Sequence, residues 1–507
     1  MTTNIKPTAR QLAELLSRYG IQHVVVSPGS RNAPLILALC RCDKYVLHYV
    51  VDERVAAFVA LGMAVETRKP VAVVCTSGTA LLNFGPALAE AYYSNIPLVA
   101  ISADRPYYDI DCNRPQTIPQ AGLFDKIVRK SVDIREGERP AYVSRLLNAG
   151  LSAATQFPAG PVHINMQFEV PLTEGCDQSP VHTDFAPSCG KIDFGKLISY
   201  TPDSGYLLYI AGLSPLEDIH AAEKVMENLP ANVAVIAEAQ SNLSHLSVLP
   251  AAQFAKNLDK AAIPDVIVIA GSAPVYPAVY SWIERNKIKC IHVDPLGRNY
   301  GEICVASPLH IFLEDNFKVC KGMPNDYRKR FSGFQPCATS PVSQLVEALS
   351  GKEISLHIGN GMSIREAQKV SIDKYTNVWS NRGVSGIDGA TSTAIGASLV
   401  ADKPVVLITG DMSAAYDIGA LAVKGVGCNF TMIVVNNNGG EIFRQVGTTK
   451  NLPEREQYFT AMPKFPLQKL AEAYGFDYQE VTDVAQVKLA QAPNPKIIEL
   501  KISNNNA

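Results

Sequence analysis

The chain carries no excess of charge of either sign: 46 Lys and Arg stand against 48 Asp and Glu, a net charge of -2. That balance excludes the broad basic surface that nucleic acid or an anionic membrane would require, while leaving single arginines free to bind small anions. No run approaches the ~18 to 20 apolar residues of a membrane span. The opening MTTNIKPTARQLAELLSRYG lacks the apolar core of a secretory signal and reads as a short tail and an amphipathic helix. Metal-ligand spacing is missing too. The 11 cysteines are scattered, with Cys40 and Cys42 the nearest pair, and the nine histidines are equally dispersed. Such a pattern argues against a zinc enzyme and for reduced thiols in a cytoplasmic protein.

What is present is apolar and repetitive. With 507 residues, 47% of them hydrophobic and 19% charged, the chain is expected to pack around about three cores. KPVAVVCTSGTALLNFGPALAEAYYSNIPLVAISAD (69–104) aligns without a gap on KPVVLITGDMSAAYDIGALAVKGVGCNFTMIVVNNN (403–438). Each runs Lys-Pro, a β-branched strand, a polar turn, a helix of small residues and a second apolar strand. That is a βαβ unit of a parallel sheet covered on both faces. Upstream the match continues, with Gly62 over Gly396. Equal length and shared glycine register favour duplication over chance. Between the two lies a third series of strands, GYLLYIAGL, VAVIAEA, DVIVIAGS and IKCIHVDP. The predicted fold is α/β with three open parallel-sheet domains, joined by linkers at 181–205 and 330–341.

In such sheets ligands collect at the carboxyl ends of strands, which points to 27–31, 76–79, 102–105, 410–413 and 436–440. LITGDMSAAYD sets Gly410, Asp411 and Ser413 where a strand ends and a helix begins, and free N–H groups there favour phosphate. An aspartate beside phosphate calls for a hard dication such as Mg²⁺ held by oxygen. The next strand returns VVNNNGGEIF to the same edge, with amide and backbone carbonyls to offer. Taken singly, Asp411 reads equally well as a helix cap and the asparagines as a turn. Jointly they point to a metal and a diphosphate.

Gly-Asp, some two dozen residues and then paired asparagines resemble the signature of thiamine diphosphate-dependent enzymes. The resemblance implies an aminopyrimidine-binding PYR domain (1–180), a middle domain (200–330) and a diphosphate-binding PP domain (342–507), with the cofactor held across a subunit interface. It also implies that Thr76, Ser77, Gly78, Thr79, Gly410, Asp411, Met412, Ser413 and Asn437 contact the cofactor. Asp411, Asn437 and the Gly439 carbonyl would hold Mg²⁺ or Mn²⁺, with Asn438 and Gly440 as the alternative register. Thiamine chemistry needs an acid against the pyrimidine ring nitrogen, and a glutamate in apolar surroundings has the raised pKa this requires. Glu53 in HYVVDERVAAFVALGMA fits, sharing a helical face with Ala57 and Ala60, although the helix dipole alone also favours an acid there. The duplication sets Glu53 over Ile387, where thiamine enzymes place a bulky apolar residue beneath the cofactor.

VVVSPGSRNAPL, TSGTA, SADRP, SNRGVSGIDG, GDMSAAYD and NNNGGEIF occur in that order. Together they closely resemble the 2-succinyl-5-enolpyruvyl-6-hydroxy-3-cyclohexene-1-carboxylate synthase (MenD) family of menaquinone biosynthesis, over nearly the whole chain. The implied reaction is decarboxylation of 2-oxoglutarate and 1,4-addition of the succinyl unit to isochorismate, by a homodimer or homotetramer. Substrates rich in carboxylates suit Arg31, Arg105, Arg365 and Arg382, since guanidinium pairs with carboxylate in bidentate fashion. Ser30 and Gln116 are the expected hydrogen-bonding partners, and Ile442 with Phe443 the apolar wall. There are departures. Pro274, Val275 and Tyr276 occupy a loop where the family has a basic residue, Gly361 stands for a serine, and Pro115 for an asparagine. The competing expectations are another thiamine-dependent 2-oxoacid decarboxylase or carboligase, and a non-catalytic thiamine- or nucleotide-binding protein. Small neutral acceptors would leave the arginines without a purpose.

Overall fold

The structure is a computed structural model, and it describes residues 5–173, 198, 205–298, 303–317, 326–490 and 493–502. The linker expected at 181–205 lies outside the described residues except for Ile198 and Gly205. The one expected at 330–341 begins in a 3₁₀ turn, Tyr327–Phe331, and ends in a helix, Pro341–Leu349, whose first turn Ser340 caps.

Runs of valine and isoleucine form the strands, and most are buried along their length because helices cover both sheet faces. The first sheet contains β1 (His23–Val26), β2 (Val46–Tyr49), β3 (Val71–Cys75), β4 (Leu98–Asp104), β5 (Lys130–Ile134) and β6 (Val162–Gln167). All pairs are parallel, in the order β2-β1-β3-β4-β6-β5. A second parallel sheet contains β7 (Tyr206–Gly212), β8 (Val233–Ala237), β9 (Val266–Gly271), β10 (Lys289–Val293) and β11 (Ile303–Val305), in the order β11-β10-β9-β7-β8. The third contains β12 (Ser355–Ile358), β13 (Asn377–Trp379), β14 (Val405–Gly410), β15 (Phe430–Asn436), β16 (Asp477–Val481) and β17 (Lys496–Lys501). Its order is β13-β12-β14-β15-β17-β16. Counted from its own first strand, this is the order of the first sheet, so one topology is built twice. The aligned segments supply its third and fourth strands each time.

The chain divides into two compact units. The first holds β1–β6 together with 391–401 and 417–426, and the second holds the other two sheets. Within the first unit the helix Glu53–Thr67 meets residues of the helix Ala390–Ser398 backbone to backbone. A Cβ on Gly62 would lie 1.9 Å from the Thr393 carbonyl oxygen, and one on Gly396 would lie 2.1 Å from that of Val59. The glycines paired by the alignment are the two sides of this crossing. Within the second unit, the β8–β9 region is bonded to the third sheet. Asn242 exchanges two hydrogen bonds with the Val378 backbone, and Gln240 accepts from Gln368.

One element departs from expectation. The helix after β14 stops at Tyr416 and gives way to a 3₁₀ turn, Ile418–Ala422. Gly419, Gly425 (φ +86°) and Gly427 follow, and each glycine costs a helix about 1 kcal/mol. Among the described residues no helix is long and apolar enough to cross a membrane, and the eight described cysteines are free thiols.

Candidate active site

At the carboxyl edge of the third sheet, β14 delivers Asp411 and β15 delivers the asparagine loop. Asp411 is buried; its Oδ2 accepts from the Gly439 N–H at 2.9 Å and its Oδ1 from its neighbour Met412 at 2.7 Å. Burial raises its pKa, opposed by the N–H groups of Gly439, Met412, Asn437 and Asn438. Asn436 serves the loop itself: its Oδ1 accepts from the Asn438 N–H at 2.9 Å, and its Nδ2 donates to Glu499. Asn438 is exposed in the left-handed region at φ +61°, whereas Asn437 is half-buried. Gly439 (φ +133°) is obligatory, because a Cβ there would lie 1.9 Å from the Thr460 carbonyl oxygen. Half-buried Ile442 and Phe443 begin a short helix beyond, and Phe443 packs on Phe459 at 5.7 Å between ring centroids.

Two of the four arginines converge on the loop after β12. Arg365 donates to the Gly361 carbonyl at 2.6 Å, and Arg382 to the Asn360 Oδ1 at 3.1 Å. Asn360 in turn donates to the carbonyls of Asn381 and Gly386, each at 2.7 Å. Burial lowers the Arg365 pKa. The departures noted in the sequence have defined contacts here. Gly361 offers its carbonyl to Arg365, the Tyr276 hydroxyl donates to the Arg365 carbonyl at 2.9 Å, and the Val275 N–H donates to Glu238 at 2.7 Å. Ile387 is exposed, and its carbonyl accepts from the Ser413 hydroxyl at 2.9 Å.

In the first unit, Glu53 opens its helix behind Asp52, whose side chain caps it by accepting from the N–H groups of Arg54 and Val55. The Glu53 carboxyl is half-buried; burial, with the neighbouring Asp52 charge, raises its pKa. Its own charge in turn raises the buried Cys75 thiol at the end of β3, after burial as the main cause. Arg31 is buried and donates to the Phe168 carbonyl at 2.8 Å. Burial lowers its pKa and nearby Arg105 adds to that, against Asp109 and Asp104. Ser30 and Thr79 are exposed. Gln116, in the left-handed region at φ +60°, clasps the turn after β3: Ser77 donates to its carbonyl at 3.0 Å, and its side-chain amide donates to the Ser77 carbonyl at 3.2 Å.

Sequence reasoning passed over the residues that join these parts. Fully buried Gln120 accepts from the Gly78 N–H at 2.7 Å and donates to Asn165 at 2.9 Å. Asn165 donates to Asp104 and Asp133, and Asp104 accepts from the Arg105 N–H. Burial pushes the Asp104 carboxyl up to about 6. The turn after β3 and the arginine at the end of β4 are therefore parts of one network. Asp104 and Gln120 stood in SADRP and NRPQTIPQ, but their partner Asn165 lies 61 and 45 residues away.

Two family profiles match the chain: the thiamine pyrophosphate enzyme N-terminal TPP binding domain over residues 7–125, and its C-terminal TPP binding domain over 359–494. Three proteins named 2-succinyl-5-enolpyruvyl-6-hydroxy-3-cyclohexene-1-carboxylate synthase are similar along almost their whole lengths. That of Christiangramia forsetii is 31% identical, covering 97% of this chain and 96% of its own. That of Flavobacterium johnsoniae is 34% identical over 94% and 92%, and that of Bacteroides fragilis 33% over 95% and 92%. The chain belongs to this synthase family. It is a thiamine pyrophosphate enzyme.

The residues of this synthase-family chain fit the cofactor. Among the described residues, the buried hydroxyls of Thr76 and Thr409 find no hydrogen-bond partner. A Cβ on Gly361 or Gly410 would meet nothing within 4 Å, so open space lies beside both turns. No cluster of three His, Cys, Asp or Glu side chains able to hold a metal occurs among the described residues. Asp411 and the asparagine loop offer oxygen donors only, a carboxylate with amide and backbone carbonyls, and these suit a hard dication rather than zinc.

Proposed function

We propose that the chain is a Mg²⁺-dependent 2-succinyl-5-enolpyruvyl-6-hydroxy-3-cyclohexene-1-carboxylate synthase, decarboxylating 2-oxoglutarate and adding the succinyl unit to isochorismate in 1,4 fashion. The observation that carries the reading is the placement of Arg31, Arg105, Arg365 and Arg382. In a chain of net charge -2, all four are buried or half-buried in the loops or the short helix that follow strands at the carboxyl edges of the sheets. A desolvated guanidinium attracts carboxylate far more strongly than a surface one, and both substrates carry two carboxylates. Ser30 and Gln116 would add hydrogen bonds to substrate, and Ile442 with Phe443 an apolar wall.

Thiamine diphosphate, when bound, supplies the electron sink that loss of CO₂ requires. Asp411, the Asn437 amide oxygen and the Gly439 carbonyl are the proposed ligands of Mg²⁺, with Mn²⁺ as a substitute. Half-burial favours Asn437 over exposed Asn438. The turns Thr76–Ser77–Gly78–Thr79 and Gly410–Asp411–Met412–Ser413 bind the cofactor, and Ile387 supports it. Glu53 would hold a proton at its carboxyl for exchange with the cofactor's pyrimidine, and burial keeps that proton available at higher pH. The first, second and third sheets would then be the PYR (1–180), middle (200–330) and PP (342–507) domains of a cytoplasmic homodimer or homotetramer, each active site completed by a second copy.

Glu53→Gln tests the assignment. Thiamine diphosphate affinity, read by calorimetry, should stay within about threefold, while turnover falls by about 10³-fold. Full activity in that variant would contradict the assignment.

A further inference from the structure

We propose that Asp417 is a positioning residue for Glu53, acting through Arg54. The inference rests on the Glu53 reading above and concerns the chain's own residues. Asp417 is fully buried, and its Oδ2 accepts from the Ser392 N–H at 2.7 Å. Its Oδ1 accepts from the Ser392 hydroxyl at 2.8 Å and from Arg54 Nη2 at 3.5 Å. Arg54 follows Glu53 directly, and Ser392 lies in the first turn of the helix Ala390–Ser398, which crosses the Glu53 helix at Gly62 and Gly396. Asp417 therefore bonds the open ends of both helices at once.

The first turn of any helix is where it frays, because its leading N–H groups have no partners inside the helix. Glu53 is the first residue of its helix, so its carboxyl is only as well placed as that turn. Two contacts of the 417–419 segment brace it. One is the Arg54–Asp417 ion pair, with Arg54 19% and Asp417 0% exposed at the side chain. The other is Gly419, where a Cβ would lie 3.7 Å from Asp52 Oδ2 and 3.8 Å from Val55 Cγ2, against the capping residue and first turn. The glycine crossing fixes the pair of helices in the middle, and Asp417 fixes them at the end that carries the acid. A buried carboxylate is costly unless donors surround it, and the ones here are a backbone amide, a hydroxyl and a guanidinium.

The test uses the full-length protein. Asp417→Asn keeps an acceptor for Ser392 but removes the charge facing Arg54; Arg54→Gln removes the other partner at a part-exposed site and serves if the first variant does not fold. Each should lower kcat about 10- to 100-fold, the loss expected when a catalytic group is misplaced by about 1 Å. KM for 2-oxoglutarate and the dissociation constant of thiamine diphosphate should stay within about threefold, and Arg54→Lys should restore most of kcat. In cofactor-free protein, amide hydrogen exchange at 53–58 should quicken about tenfold with 59–67 unchanged. Wild-type kcat and wild-type exchange at 53–58 in folded Asp417→Asn would overturn the proposal. So would equal loss of protection along both helices, the mark of a purely structural role. If instead Glu53→Gln retained full turnover, the Glu53 reading would fail, while local exchange at 53–58 would still report whether Asp417 holds that turn.

Discussion

Three consecutive asparagines divide their labour by environment. Asn436 braces the loop against Glu499, exposed Asn438 takes the left-handed turn, and half-buried Asn437, whose N–H acts on Asp411, is the proposed metal ligand through its amide oxygen. Asn437→Ala should therefore raise the Mg²⁺ concentration for half-maximal activity by about tenfold or more, and Asn438→Ala by less than about threefold. The reverse order would move the ligand pair to Asn438 and Gly440. The turn was legible in the sequence; the bracing role of Asn436 was not, because its partner Glu499 lies 63 residues away. Glu238 was equally hidden. It is fully buried, accepts from the Tyr209 hydroxyl and the Val275 N–H, each at 2.7 Å, and burial pushes its pKa up to about 7. The folded protein keeps this proton where the unfolded chain, near 4.5, releases it. Its contribution to stability is then complete below about pH 4.5 and fades as pH rises to about 7. Melting temperatures should fall between pH 5 and 7.5, and Glu238→Gln should flatten that fall. An unchanged slope in the variant would show that Glu238 does not titrate there.

At the scale of elements, the duplicated segments were plain in the sequence, since continuous apolar strands and glycine register survive without any long-range information. Less plain was the purpose of the shared glycines, which are the two faces of one helix crossing. Gly62→Ala and Gly396→Ala should each destabilise the protein by about 1–3 kcal/mol in urea titration, because a Cβ meets a backbone oxygen that cannot step aside. The double variant should cost less than the sum of the two. Gly447→Ala, where a Cβ meets nothing within 4 Å, should stay within about 0.5 kcal/mol. The short strand β11 and the break after Tyr416 carried no clear signal: three residues show no period, and the 403–438 alignment suggested one helix where the glycines permit only a turn.

For the whole molecule, the proposed sharing of active sites between chains would join Glu53, on one copy of the duplicated topology, to Asp411 on the other copy in a second chain. Glu53→Gln and Asp411→Asn are each expected to be inactive alone. Mixed and reassembled, they should recover about a quarter of wild-type activity, because half of randomly formed dimers are mixed and one of their two sites is intact. No recovery after verified subunit exchange would place both residues in sites built from a single chain. The assignment of the reaction itself is tested most directly by CO₂ release from 2-oxoglutarate with Mg²⁺ and thiamine diphosphate, measured with and without isochorismate. Release should be slow alone and rise at least about tenfold with isochorismate if the four arginines receive a carboxylate-rich acceptor as proposed. Brisk release without any acceptor, unmoved by isochorismate, would contradict the synthase and leave a plain decarboxylase.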